Sequence, residues 1–523
     1  MTDIEPPSPA RCAASAPHAS DTDPHHVGVL IIGAGFSGLG AAIGLQKDGY
    51  TDFLVLERGT NVGGTWRVNT YPGAACDVPS HLYSYSFAPN RTWTRSYSKQ
   101  PEIEAYIQRV ARQHRVLDKH RFGCEVHQVR WNTQEARWHV STSQGAFTAN
   151  VVVSAVGPLT EPALPDIDGL EEFEGEIFHS ARWNHDFDLT GKRVAVIGTG
   201  ASAIQIVPEL AKTVRQLDVY QRTAPWVLPR FDRDYTTAER LAFTHIPGYQ
   251  RLIRSTMYWS KELIGCALTY APKMLVPVQK LAKRHIERAI TDTELRAKVT
   301  PRWRIGCKRM LMSNTYYPAL AQPHVDVVTD GITAVGPNAI VTADGSVREV
   351  DAIVVATGFH VTDSPTNERI IGRDGDSLAD TWQRAGAQAY KGSTVHGFPN
   401  LFVMTGPGTG SGHTSAVFMI ESQLNYLRDL IRTTTSRGIA TVEVREEVQR
   451  AYNADIQQGL RNSVWEVGGC ASWYRDKFGR ITTMWPGFTF RFRQQTRTFD
   501  LNAYHAVQAC DLSTATEKYA ASA

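Results

Sequence analysis

The chain of 523 residues has little cysteine, and what it has is scattered: Cys12, Cys76, Cys124, Cys266, Cys307, Cys470 and Cys510. No two of them form a C-x-x-C pair, which argues against a zinc ribbon or a dithiol redox centre and fits a reduced, cytoplasmic setting. Histidines such as His360 and His413 have no ligand spacing, so no metal is expected. No apolar run approaches a membrane span, so no integral membrane segment is expected. The start carries Asp3 and Glu5 in place of a basic stretch followed by an apolar one, which argues against a secretory signal. Neither charge sign dominates: 55 Lys and Arg face 52 Asp and Glu, for a net charge of +3. Without a basic run, nucleic acid is not expected as a partner. What remains is ordinary, 42% hydrophobic and 20% charged residues, long enough for about three domains of roughly 150 residues.

Residues 1–26, rich in Pro, Ala, Ser and Asp, have too little apolar material to bury and read as a disordered leader. From there the chain changes character. Val27 to Ile32 is a β-branched run that ends in Gly33-Ala34-Gly35-Phe36-Ser37-Gly38, and helix formers continue from Leu39 to Gln46. Asp52 to Leu56 supplies the next strand and Glu57 stands at its end. This is strand, tight turn, helix and strand, the arrangement that presents backbone N–H groups to a pyrophosphate. A carboxylate at Glu57 accepts both ribose hydroxyls, so this site calls for a dinucleotide with a free 2′-OH.

The order recurs. Arg193 to Ile197 reads as a strand, Gly198-Thr199-Gly200-Ala201-Ser202-Ala203 as the turn, and Ile204 to Lys212 as a helix that carries Gln205, with Pro208 a blemish in its regularity. The strand Leu217 to Tyr220 ends in Gln221-Arg222-Thr223, with no acid. A guanidinium there can hold a 2′-phosphate in a forked pair, which makes NADPH the second nucleotide, unless Arg222 is only a surface arginine. Two sites of opposite 2′ chemistry in one chain imply FAD in the first and NADPH delivering hydride to it.

Val151 to Val153, leading into Gly157, and Asp351 to Val355, leading into Gly358, read as two crossings between the nucleotide domains. The expected fold is α/β: two Rossmann-like dinucleotide-binding domains, the second inserted in the first. The FAD domain spans 27–160 and 345–523, and the NADP domain 161–344. Residues 235–300, with apolar residues at helical intervals and many Lys and Arg, read as a helical insertion. Its basic face suits either solvated helices covering the site or a membrane surface.

Phe173, Gly175, His179 and Trp183, lying between the two turns, resemble the fingerprint of type I Baeyer-Villiger monooxygenases. Gly63-Gly64-Thr65-Trp66, followed by Tyr71-Pro72-Gly73 and Asp77, resembles a second signature of that family, and Cys307-Lys308-Arg309 to Tyr317 a third stretch. One departure stands out: Asn184 follows the fingerprint Trp where the family usually has Pro or Asp. The related disulfide reductases would need a cysteine pair near Gly63, and it is missing.

The resemblance implies insertion of one oxygen atom of O2 beside the carbonyl of a ketone, giving an ester or lactone through a peroxide adduct of the reduced flavin. It makes Arg309 the cation that stabilises this oxyanion, because arginine does not deprotonate near neutral pH. Asp77 becomes its partner; a turn aspartate is the alternative. Lys308 would join Arg222 on the 2′-phosphate, and Trp473 would close a mobile loop over the nicotinamide end, unless it is a core tryptophan. His179 falls at the linker and is assigned to domain coupling, with Phe173 and Trp183 as packing residues. Phe36, Ser37, Arg58, Gly64, Thr65 and Trp66 are expected along the FAD, and Thr199, Ala201, Ser202, Gln205 and Thr223 along the NADP. An N-hydroxylase or S-oxygenating flavin enzyme of the same fold is the competing activity, and a non-catalytic flavoprotein the competing class.

Overall fold

The protein is described here by a computed structural model covering residues 24–511. The expected leader lies outside the described residues up to position 23, while His25 and His26, assigned to it from sequence, already belong to the first strand. That strand, β1 (His25–Ile32), is followed by α1 (Phe36–Lys47) and β2 (Phe53–Glu57). Val27, Val29, Leu30 and Ile31 are all buried, as a strand covered on both faces requires.

The first sheet continues with β3 (His120–Phe122), β4 (Val126–Asn132), β5 (Arg137–Thr142) and β6 (Gly145–Ser154), after two intervening helices, α2 (Thr65–Val68) and α3 (Gln100–Gln113), and takes in two short strands from later in the chain, Ile370–Ile371 beside β4 and Leu401–Val403 beside β6. β1 lies between β6 and β2 and is parallel to both, while the β4-β5-β6 meander is antiparallel.

The second sheet is wholly parallel. It uses β7 (Glu176–His179), β8 (Arg193–Ile197), β9 (Gln216–Tyr220), β12 (Val325–Val328) and β16 (Ala352–Val355), in the order β12-β9-β8-β16-β7. The two-residue strands β10 (Val227–Leu228) and β11 (Leu311–Met312) pair with each other, and β13 (Ile332–Val335), β14 (Ala339–Thr342) and β15 (Val347–Glu349) form a small separate sheet. Because β16 sits between β8 and β7, the return to the first domain comes after Val355, and the boundary expected at 345 is too early. The two crossings run together there: Pro162 bridges Phe359, and the Ala163 N–H donates to the Gly358 carbonyl at 2.9 Å.

Between β8 and β9 lies α4 (Ala203–Leu210), which carries Pro208 and stops two residues short of the expected Lys212. The insertion consists of α5 (Thr237–His245), α6 (Tyr249–Thr269), α7 (Val276–Ala289) and α8 (Thr293–Val299). Thr236 and Glu239 close a capping box at the start of α5. No helix among the described residues is long and apolar enough to cross a membrane.

His81 marks where the insertion meets the first domain. Its ring is 1% exposed, packs on Phe243 and Tyr235, and bonds the Gln250 amide at 3.1 Å. Burial, helped by Arg254, lowers its pKa from 6.5 to about 4. A histidine depressed on folding is protonated more readily in the unfolded chain. Its contribution is therefore intact above pH 6.5 and lost as pH falls through that value towards about 4. The expected loss is about 3 kcal/mol. Urea midpoints measured across that window should fall in the wild type, and the steepest part of that slope should vanish in His81→Gln.

The fold adds a covalent link on which the sequence reading was silent. Cys307 and Cys470, 163 residues apart, form a disulfide, while Cys76, Cys124 and Cys266 are free. Sequence spacing cannot reveal such a pair, because the fold alone brings them together.

Candidate active site

The first glycine turn folds as its residues require. Gly33 has φ +102°, and a Cβ on Gly38 would stand 1.8 Å from the Gly33 carbonyl oxygen, so α1 can begin this close to β1 only with glycine there. At the end of β2, Glu57 accepts the Ala34 N–H at 2.8 Å and the Gly59 N–H at 2.7 Å. A carboxylate has about four lone-pair sites, so acceptor capacity remains for a ribose.

A cavity of about 400 Å³ opens at the carboxyl ends of β1, β2 and β6. Gly33, Gly35, Phe36, Ser37 and Glu57 line it on one side, and Arg58, Gly64, Thr65 and Trp66 on another. Gly38 stands behind the wall. Arg58 is tied to Glu161 of the outgoing crossing at 2.7 Å, and the Trp66 indole donates to the Tyr83 hydroxyl at 3.0 Å. Trp473, 52% exposed, reaches the same cavity and is not a core residue.

The second turn is more open. Gly198 has φ +114°, Gly200 has free space where a Cβ would be, and Ala201 is exposed, with Ser202 partly so. The Thr199 hydroxyl donates to the Thr223 carbonyl at 3.0 Å, closing the turn onto the end of β9. Arg222 is exposed there, and Lys308 lies close enough for Arg222 to reduce its pKa, behind burial as the larger cause. Neither cation makes an ion pair among the described residues. Two unpaired cations converging beside a glycine turn suit the extra phosphate of NADPH.

Gln205 departs from its expected place at the nucleotide. Its Oε1 accepts from the Tyr71 hydroxyl at 3.0 Å and the Ala75 N–H at 3.2 Å, and its Nε2 donates to the Ala75 carbonyl at 3.0 Å. With both amide ends engaged, it clamps α4 to the Tyr71–Ala75 loop of the first domain.

That loop leads to Asp77, which meets Arg309 across 232 residues. Arg309 Nε donates to Oδ2 at 2.6 Å and Nη2 to Oδ1 at 2.7 Å, a forked pair. Burial pushes the Asp77 carboxyl up, but Arg309 outweighs it and, with Arg230, holds it below the usual carboxylate range. Asp77 in turn raises the guanidinium above its ordinary value, so the charge is fixed. The pair lies outside the lining of the cavity and adjoins it through Tyr83, which lines the cavity and feels both charges.

Three neighbours escaped the sequence reading. Arg230, following β10, donates to the Cys76 carbonyl at 2.8 Å and stacks on Tyr97. Lys261 on α6 has its pKa lowered by burial and feels both Asp77 and Arg309. Tyr474, raised to about 12 by burial, also feels Arg309. Only Lys261 left a trace, on one helical stripe with Tyr258 and Gly265.

The fingerprint residues are structural. A Cβ on Gly175 would strike the Phe173 ring at 2.5 Å and the Asp351 carbonyl at 2.6 Å, and Trp183 packs edge-on against Phe178. Asn184 accepts the Asp186 N–H at 3.0 Å, forming the turn itself. His179 Nδ1 accepts the Ala181 N–H at 3.1 Å, so Nε2 carries the proton and donates to the Gly358 carbonyl at 3.0 Å, in the returning crossing.

Two parallel-stranded nucleotide units, one with a carboxylate at its second strand and the other with paired cations, define a two-dinucleotide oxidoreductase. Residues 30–241 match the family described as pyridine nucleotide-disulphide oxidoreductase. The chain is 51% identical to a Baeyer-Villiger monooxygenase of Streptomyces coelicolor, over 92% of this chain and 93% of that one. It is equally 51% identical to one of Pseudomonas aeruginosa, over 92% and 91%. Its fold superposes on cyclohexanone monooxygenase from Rhodococcus sp. Phi1 bound to NADP+ with a TM-score of 0.81 at 27% identity, covering 93% of this chain and all of that one. OTEMO in complex with FAD and NADP gives 0.82 at 26%, with the same coverage. The chain belongs to the Baeyer-Villiger monooxygenase family.

Proposed function

We propose that this protein is an FAD-containing, NADPH-dependent monooxygenase that inserts one oxygen atom of O2 next to a ketone carbonyl, giving an ester or lactone. The observation that carries this reading is the forked Asp77–Arg309 pair beside the wall of the first nucleotide cavity. FAD, once reduced by NADPH, supplies the activation of dioxygen. The first glycine turn, Glu57 and the Gly64–Trp66 segment would hold the FAD, and the second turn with Arg222, Thr223 and Lys308 the NADPH.

Arg309 offers a cation that no accessible pH removes, beside the cavity in which oxygen would gain negative charge. Asp77 fixes its plane and offsets the cost of holding it away from water. His179 links β7 to the returning crossing, a position from which movement of one domain is felt by the other. Trp473, exposed at the cavity, restricts water when its loop closes.

The test is a panel of linear, cyclic, aromatic and steroidal ketones, with products identified by mass spectrometry and NADPH and NADH run side by side. Ester or lactone formed at the expense of NADPH is expected. Exclusive N- or S-oxide formation, or NADPH consumption matched only by hydrogen peroxide, sinks the proposal.

A further inference from the structure

Helix α6 turns two unlike faces outward and inward. On the outer face Leu252, Trp259 and Leu263, at i, i+7 and i+11, are 63%, 54% and 72% exposed. Large apolar side chains so placed are unusual for a helix that only covers a site. The face does not end with the helix. Trp259 contacts Phe490 at 5.8 Å, Phe490 stacks on Phe488 at 5.2 Å, and Phe488 meets Tyr270 at 5.9 Å, making one aromatic platform. Met274 and Val276 extend the exposed apolar surface to the start of α7.

The platform is held from beneath. Glu262, on the buried side of α6, accepts the Thr489 N–H at 3.1 Å and stands 3.5 Å from His413. The helix and the 488–490 segment are thereby fixed to each other.

Charge narrows the choice of partner. Between Arg251 and Arg284 the chain has seven cations, of which Arg254 and Lys261 turn inward, and a single carboxylate, Glu262, which is buried. Lys273 and Lys280 are exposed on the same stretch, and Arg491 lies over the Phe488 ring at 5.8 Å. A second copy of the chain would bring a two-fold related set of the same cations against these, which repel. An anionic surface attracts them instead. Aromatic rings rimmed by Lys and Arg suit the boundary between lipid headgroups and acyl chains.

We infer that this platform docks the protein on the surface of a bilayer containing anionic phospholipid, with α6 lying in the interface.

The FAD-loaded enzyme is floated with phosphatidylcholine vesicles, with and without about one third phosphatidylglycerol. Flotation that depends on phosphatidylglycerol and weakens in roughly 0.5 M salt is expected. Trp259→Gln combined with Leu263→Gln should lower vesicle affinity by about tenfold or more through lost apolar burial. Lys273→Glu combined with Lys280→Glu should do the same through lost charge. Both variants should retain wild-type NADPH oxidation in free solution, which reports an intact fold. Failure of the wild type to float with anionic vesicles overturns the inference. So does a concentration-dependent dimer that Trp259→Gln with Leu263→Gln dissociates while vesicle binding is unchanged, since that would assign the platform to self-association.

Discussion

Replacing Arg309 with alanine is expected to lower ester formation about a thousandfold while leaving reduction by NADPH in place. The reasoning is electrostatic. Oxygen transfer to a carbonyl carbon requires negative charge on the attacking oxygen and then on the carbonyl oxygen, and a fixed cation lowers both energies. Arg309 is the cation whose charge Asp77 keeps above its ordinary pKa, and it stands beside the cavity that suits the flavin. Hydride delivery needs no such charge, so NADPH should still bleach the flavin absorbance, with hydrogen peroxide replacing ester as the product. Arg309→Lys tests geometry against charge, since an ammonium cannot make the fork to Asp77. Ester released by Arg309→Ala at the wild-type rate would remove this residue from the chemistry.

The second large effect concerns coenzyme choice. With Arg222 and Lys308 both changed to alanine, the KM for NADPH should rise about a hundredfold or more, because two charge-assisted contacts to the 2′-phosphate disappear. kcat/KM for NADH, which lacks that phosphate, should hardly move. Steady-state kinetics with both coenzymes decides it, and an equal loss for both would show that the cations do not read the phosphate. Lys308 adds a direction in pH. Burial, with Arg222 beside it, lowers its pKa from the ordinary lysine value. Its share of phosphate binding is present while it is protonated and fades as pH climbs through the lowered value, so KM for NADPH should rise on the alkaline side earlier than an unperturbed lysine would allow.

What was legible in the sequence was local. The turn glycines, the strands on either side of them and Glu57 all lie within one β-α-β unit, where sterics and helix geometry dictate placement. Arg222 was readable for the same reason. Partners distant in the chain were not. Asp77 and Arg309 lie 232 residues apart, and no spacing joins them; only family resemblance did so. The return crossing was set too early because whether Ala352–Val355 joins the first or second sheet depends on pairing with β7 and β8, which an apolar run does not encode. Gln205 had the right address on α4, but side-chain direction gave its amide to Ala75. The outer face of α6 read as helical and basic, and its apolar stripe emerged only when burial divided inner from outer positions.

The bridge between Cys307 and Cys470 gives the molecule a covalent circuit that the peptide chain alone lacks. It encloses the returning crossing and joins the segment of Lys308 and Arg309 to the one that carries Trp473. A protease that nicks the backbone anywhere inside this circuit therefore leaves both pieces attached, with the guanidinium and the tryptophan still on one molecule until a thiol reductant opens it.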